Sequence, residues 1–426
     1  MQTNVPISEL ISRRKGLSGL MENNSVLIVF SNQNTARNSD VDWPFRQNSS
    51  FWYLTGLNQS DSVLVITKEK ERISQKLYTP ENDEKSELWY GRKLSKPEVS
   101  ELSGIYESDI SYFKDFAPDI DGFLQNKKFL YLGPKGNYQE LRNQIAEKGR
   151  IINEKNEIIN SNEIIRSLRV VKSNWEIQQM KIAAKINTEA HKKAKKIMQE
   201  AVKSGQQFGE KQFEAALYYH YNKNGLTWSY PAIVAGGNNG AVLHYTENNK
   251  IIDPNNLVLV DAGCEYNYYA SDITRVYSPG GKMTIPQQTV YDIVRTANVE
   301  CITHLEAGKA SFLSLQNTSN EIITKGLIKL GIIKDSFKRA ITEKLYKKYY
   351  PHSIGHFLGL DVHDIGTKYN NDIFVPGNIL TVEPGIYLPE NDEDIPKQYR
   401  GISIRIEDDI LITENGIENL TADLEK

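Results

Sequence analysis

Four acidic residues stand inside segments that otherwise read as buried strands. They are Asp261 in Leu257-Val-Leu-Val-Asp-Ala-Gly263, Asp272 in Ala270-Ser-Asp-Ile-Thr-Arg275, Glu383 in Leu380-Thr-Val-Glu-Pro-Gly385, and Glu407 in Ile402-Ser-Ile-Arg-Ile-Glu-Asp-Asp409. An ionised carboxylate left unpaired in an apolar frame costs several kcal/mol or takes up a proton instead. A fold that buries all four must therefore supply cations where they converge, and two divalent metal ions would neutralise them.

The segment His352-Ser-Ile-Gly-His356-Phe-Leu-Gly-Leu-Asp-Val-His363-Asp364 carries three of the chain's 7 histidines, separated by glycines that allow close backbone approach. Pro351, Gly355 and Gly359 argue against a helix, so His352 and His356 are expected on a path from loop to strand rather than on one helical face. A further histidine, His244, stands in Gly240-Ala-Val-Leu-His-Tyr-Thr-Glu247. One imidazole with four carboxylates is a hard, oxygen-rich set, unlike the thiolate or three-histidine sets that select zinc most strongly. Mn2+ is the expected ion, and Co2+, Zn2+ or Fe2+ could occupy the same cage. His191, His220 and His304 read as core-edge or surface residues.

Leu257–Gly263 and Tyr268–Tyr277 read as two strands joined through Glu265-Tyr266-Asn267. A hairpin with an even loop centred between Tyr266 and Asn267 would set Asp261 directly opposite Asp272, close enough to share a cation. Around these strands, helices are expected from the capping box Ser173-Asn-Trp-Glu176 to a stop at Gly205, with Ile177, Met180, Ala184, Ala194 and Ile197 on the helical period. Others are expected at 207–224, 286–307 and 312–330. The region from 173 to 426 is thus α+β with its polar site on sheet residues. The first 172 residues instead alternate apolar runs such as Ser25–Phe30, Ser62–Thr67 and Lys128–Gly133 with helix-compatible segments, an α/β pattern without a catalytic set.

A net charge of −3 offers no basic face, which speaks against nucleic acid as a partner. Two cysteines, Cys264 and Cys301, cannot build a disulfide framework and read as small core residues. The first residues lack the apolar stretch of a signal peptide, and no run approaches the ~18 residues of a membrane span, so a soluble cytoplasmic protein is expected.

The His352–Asp364 segment, Asp261 with Asp272, Thr381-Val-Glu-Pro-Gly385 and Ile404-Arg-Ile-Glu-Asp408 together resemble the pita-bread metallopeptidases, and among these the Xaa-Pro aminopeptidases. Arg37-Asn-Ser-Asp40 and Arg46-Gln-Asn-Ser-Ser-Phe-Trp-Tyr-Leu-Thr-Gly56 are similar to the N-terminal domain of those enzymes. The resemblance implies an N-terminal domain over 1–172 and a dinuclear pita-bread domain over 173–426. It implies that Asp261 and Asp272 bind metal with Asp272 bridging, that His356 and Glu383 hold the second ion, and that Glu407 bridges. His244, His352 and His363 match histidines on the substrate side. Two positions depart from the pattern. Between His363 and Thr381 the sole basic residue is Lys368, where prolidases carry an arginine, which tilts the expectation toward substrates longer than dipeptides. Ser403 stands where relatives often have glycine, with little effect expected.

The expected reaction is removal of the N-terminal residue from peptides with proline in second position. A metal-bridging hydroxide would attack the scissile carbonyl, Glu383 would shuttle the proton, and His363 and His244 would donate to substrate and developing oxyanion. Tyr387 and Arg405 either line the proline pocket or brace the acids. The alternatives are an Xaa-Pro dipeptidase and, more remotely, a peptide-binding module that keeps the fold without turnover. Trp52, Tyr53 and Trp89 are expected to anchor a homo-oligomer, a dimer or tetramer, through the first domain, with an ordinary core role for all three as the alternative.

Overall fold

The structure is a computed structural model describing residues 5–133, 138–152, 157–364 and 372–426. Lys368 lies outside the described residues. The chain separates into two compact units, one over Thr3–Arg169 and one whose body is Val170–Lys426.

In the first unit a six-stranded mixed sheet has the order Ile110–Tyr112, Arg72–Thr79, Val63–Glu69, Ser25–Phe30, Phe129–Leu132, Glu157–Asn160. Ser25–Phe30 pairs antiparallel with Val63–Glu69 and parallel with Phe129–Leu132. A strand flanked on both sides can be apolar throughout, and Val26, Ile28, Val63, Val65 and Leu130 are buried against Phe116 and Ile145 of the covering helices. The aromatic expectation for this unit needs correction. Trp52 and Tyr53 lie in the short helix Ser49–Thr55 and are buried, at 5% and 3% exposure, whereas Trp89 is 73% exposed. The short helix is capped at both ends, by the Asn48 side chain and by Gly56 in the left-handed region, and that orientation turns its aromatics into the core. Ala36–Asn38 and Val41–Asp42 form an exposed ribbon on which Arg37 stacks over Trp43 at 4.9 Å.

In the second unit the Ser173–Glu176 capping box opens a 30-residue helix, Asn174–Lys203, ahead of Gly205 at φ 76°. Met180, Ala184 and Ala194 face the core; Ile197 points outward and Met198 takes its place inside. Helices Glu210–Lys223, Ile285–Thr303 and Phe312–Lys329 follow. They cover small antiparallel sheets: Ile233–Gly236 with Val258–Ala262 and Ile273–Tyr277, Ile379–Val382 with Asp408–Thr413 and Gly416–Asn419, and the pair Gly385–Leu388 and Ile402–Arg405. Two apolar clusters, one including Val290, Val294, Ile323 and Ile404 and the other Ala194, Phe213, Val258 and Val260, hold helices to sheets.

The hairpin carrying Asp261 exists, but its register differs from the expected one. Its two-residue turn is Asn267-Tyr268, both at positive φ, so Asp261 pairs with Thr274 and Ala262 with Ile273. A tight turn of this kind needs two left-handed residues, and asparagine tolerates that conformation. Asn267 is buried, with its Nδ2 donating to Gln179 Oε1 at 2.9 Å, which anchors the turn one residue later than expected. A shift of two in pairing keeps side chains on their original face. Asp272 therefore stays on the side of Asp261 while lying diagonal to it.

Candidate metal centre and substrate cleft

Each acid sits where a strand ends or yields its pairing. Asp261 is the penultimate residue of Val258–Ala262, Asp272 precedes Ile273–Tyr277, Glu383 follows Ile379–Val382, and Glu407 joins Ile402–Arg405 to Asp408–Thr413. The main chain knits them together: Glu407 N donates to Thr274 O at 3.1 Å and Glu383 N to Ile354 O at 2.8 Å. His356 enters the same lattice through Thr381 N donating to its carbonyl at 2.9 Å and its own N donating to Thr381 Oγ1 at 3.1 Å. The segment around it is irregular, with a single bridge from Phe357 to Leu380, and is not helical.

His356 Nδ1 lies 3.1 Å from the carbonyl of Phe357, which fixes its proton there and leaves Nε2 free to face the acids. Nε2 is 3.5 Å from Asp272 Oδ2 and 3.6 Å from Glu383 Oε1. Donor atoms of Asp272, His356 and Glu407 all fall within 4.8 Å of one another. Arg405 Nη2 donates to Asp261 Oδ2 at 2.6 Å, and its Nη1 to Tyr387 Oη at 2.9 Å. Tyr387 Oη lies 2.8 Å from His352 Nε2. Of the two readings of Tyr387 and Arg405, bracing of the acids is thus visible directly.

Burial pushes the Glu383 carboxyl up to about 7, against the opposing charges of His356 and Arg405. Glu407 lies well above the usual carboxylate range, through burial and then the charges of Asp272, Glu383 and Asp261. Burial raises Asp261 too, although Arg405 opposes it. For Asp272 burial is outweighed by His356, and it falls below its ordinary value. Among the described residues the ion-pair partners of these acids are Arg405, His352 and His356. Three buried carboxylates and the part-buried Glu383, with so little compensating charge around His356 Nε2, fit divalent metal ions.

A cleft of about 500 Å³ opens over this floor, lined by the four acids and by His244, His352, His356, His363 and Arg405, with Leu243 and Phe312 as apolar wall. His244 and His363 are exposed in it. The rings of His356 and His363 meet edge to face at 4.3 Å. Tyr230 was not foreseen from the sequence. Its Oη lies 2.5 Å from Oδ1 of both Asp261 and Asp272. Thr274 is a second such residue, its Oγ1 donating to Glu407 Oε2 at 2.6 Å while accepting from Arg405 Nε at 3.0 Å. Neither belongs to a recognisable pattern; Thr274 could have been found only from the true hairpin register. Cys264 and Cys301 are buried, with their thiols on the carbonyls of Ala183 and Leu315. His191 and His220 are buried in helix packing and His304 is exposed.

The sequence matches metallopeptidase family M24 over residues 178–414. This chain belongs to that family. Residues 10–131 match the aminopeptidase P N-terminal domain. The Xaa-Pro aminopeptidase of Escherichia coli K12 is 36% identical over 98% of this chain and 95% of its own length. That of Haemophilus influenzae is 35% identical over 99% and 96%. The solved structure of zinc-substituted E. coli aminopeptidase P in complex with product superposes with a TM-score of 0.91 at 34% identity, covering 100% of this chain and 97% of that one. The fold is therefore an aminopeptidase P N-terminal domain followed by an M24 pita-bread catalytic domain, and the protein is a hydrolase that binds divalent metal.

Proposed function

We infer that this chain is a metallo-aminopeptidase that removes the N-terminal residue from peptides with proline in second position. The observation that carries the reading is the match to Xaa-Pro aminopeptidases along nearly the whole chain, over a cleft floored by Asp261, Asp272, His356, Glu383 and Glu407. We propose that these residues would hold two divalent ions, Mn2+ first among candidates, and that residues 173–426 form the catalytic domain and 1–172 its N-terminal partner. When bound, such ions supply an activated water and polarise the scissile carbonyl.

The remaining work falls to side chains. An Xaa-Pro bond is a tertiary amide without an N–H, so recognition at proline rests on shape, for which Leu243, Phe312 and the face of His352 are available. Glu383 stands on the cleft floor beside His356, placed to accept a proton and return it to the leaving amine. His244 and His363 reach into the cleft and donate to the substrate and to the oxygen that gains charge. Arg405, held by Tyr387 and Thr274, orients Asp261 and opposes the rise that burial imposes on its carboxyl.

Comparing an Xaa-Pro dipeptide with an Xaa-Pro-Yaa tripeptide, each with and without Mn2+, tests the reading. Metal-dependent cleavage of the tripeptide is expected. Cleavage of the dipeptide alone would make the chain a prolidase, and binding without cleavage of either would make it a peptide-binding module. His363→Ala should lower turnover by ~10²-fold or more while metal content stays unchanged. Loss of metal in that variant would overturn the division into ligands and donors.

The oligomer proposal now rests on the helix Glu84–Tyr90, which buries none of its residues and exposes Leu88, Trp89 and Tyr90. Large exposed aromatics in succession mark interface anchors. Light scattering should show a homo-oligomer that Trp89→Glu dissociates; a monomeric parent protein would count against it. A cytoplasmic location is proposed from the free, buried cysteines. No helix among the described residues is long and apolar enough to cross a membrane.

A further inference from the structure

The loop from His356 to His363 is closed at its base by Asp364 N donating to Phe357 O at 2.9 Å. It is pinned on one side by Leu358 N on Ile379 O, and on another by Ala270 N on Gly359 O. Underneath, Lys172 Nζ lies 3.2 Å from Asp364 Oδ2, and the two side chains are 1% and 2% exposed. The pair occupies the space that Gly359 leaves open: a Cβ at that glycine would lie 2.2 Å from Asp364 Oδ2 and 3.1 Å from Lys172 Cε. Gly359 is not among the glycines with positive φ, so its role here is room and not conformation.

Lys172 is itself held in place. Its N donates to Gly377 O at 2.8 Å, and Asn378 Nδ2 donates to Val170 O at 3.0 Å, just ahead of the strand Ile379–Val382 that leads to Glu383. Ser173, the next residue, caps the long helix. A buried ion pair is seldom retained for stability, because desolvation offsets most of its attraction, whereas a charge held at one point fixes register and orientation.

We propose that Lys172 and Asp364 are positioning residues for the hydrolysis: the pair holds the end of the loop so that the adjacent His363 stands in the cleft at the distance its donor role needs. This rests on the reading of His363 as a substrate donor. Neither residue lines the cleft, so the pair acts through the loop that carries His363.

The test is a double-mutant cycle on the full-length, metal-loaded protein with the tripeptide Ala-Pro-Ala. Asp364→Asn should lower kcat by about 10–100-fold with a smaller change in KM and unchanged metal content, the size expected for an ångström-scale misplacement of a catalytic group. In a His363→Ala background the same substitution should cost nothing further. A second variant, Lys172→Met with Asp364→Leu, removes both charges with little loss of volume, keeps the fold, and should show the same kcat loss. Parental kcat in either variant overturns the proposal, as do losses that multiply with His363→Ala or that come with loss of metal. If neither variant folds, the pair serves folding and the positioning role is refuted. A silent His363→Ala would refute the donor reading itself; a damaging His363→Ala beside silent Asp364 variants would refute only the positioning.

Discussion

Asp272→Asn is expected to abolish metal binding and turnover together, with activity reduced by at least ~10²-fold, while both units stay folded. Asp272 offers Oδ1 to Tyr230 and turns Oδ2 toward His356 Nε2 at 3.5 Å, inside the cluster it forms with His356 and Glu407. An amide of the same shape keeps the hydrogen bonds but loses the charge a metal ligand supplies. Without metal the substitution also relieves repulsion, since the Asp272 charge contributes to raising Glu407, Glu383 and Asp261. It also removes the ionic contact with His356 that helps hold the Asp272 carboxyl below its ordinary value, so the metal-free variant should melt no higher than the metal-free parent. What it should lose is the gain on adding metal, which for saturating ligand at about a thousand times Kd amounts to ~4 kcal/mol. Metal analysis and thermal melts with and without Mn2+ read both effects; a variant with parental metal content and turnover would remove Asp272 from the ligand set.

Gly355→Ala should be severely damaging for so small a substitution. A Cβ there would lie 2.0 Å from Thr381 O and 2.8 Å from Thr381 C, both backbone atoms that no rotamer change can move aside. Ile354 O and His356 O accept from Glu383 N and Thr381 N, so this close approach is what brings His356 and Glu383 to 3.6 Å. Forcing the two segments apart is expected to cost about 3 kcal/mol in urea unfolding and to reduce metal content at the same time. A stable variant that holds metal normally would show that the segments can part without disturbing the centre.

The parts legible in the sequence were those where residue type alone implies an environment. Acids in apolar strand frames imply a buried, cation-demanding site, and all four line one cleft. The Ser173–Glu176 box implies a helix start, since its two side chains satisfy two orphan N–H groups locally. Gly355 and Gly359 imply close approach, although only the structure says what approaches: the Thr381 backbone in one case, the Lys172–Asp364 pair in the other.

What the sequence could not decide were pairings over long separations. The hairpin register depended on where two residues could take positive φ, and on Asn267 finding Gln179, which is 88 residues away. Trp52 and Tyr53 differ little in kind from Trp89, yet packing buried the first two and left the third in solvent. Tyr230, Thr274 and Lys172 carry no motif, and each meets its acid only because segments distant in the chain converge. The sequence by itself thus pointed to an α/β first region, an α+β second one and a set of acids and histidines that line one cleft, because charge, size and backbone preference belong to each residue. Which hydroxyls and cations orient those acids was decided by the tertiary structure alone, because a hydrogen bond depends on positions within a few tenths of an ångström that no local property of the chain encodes.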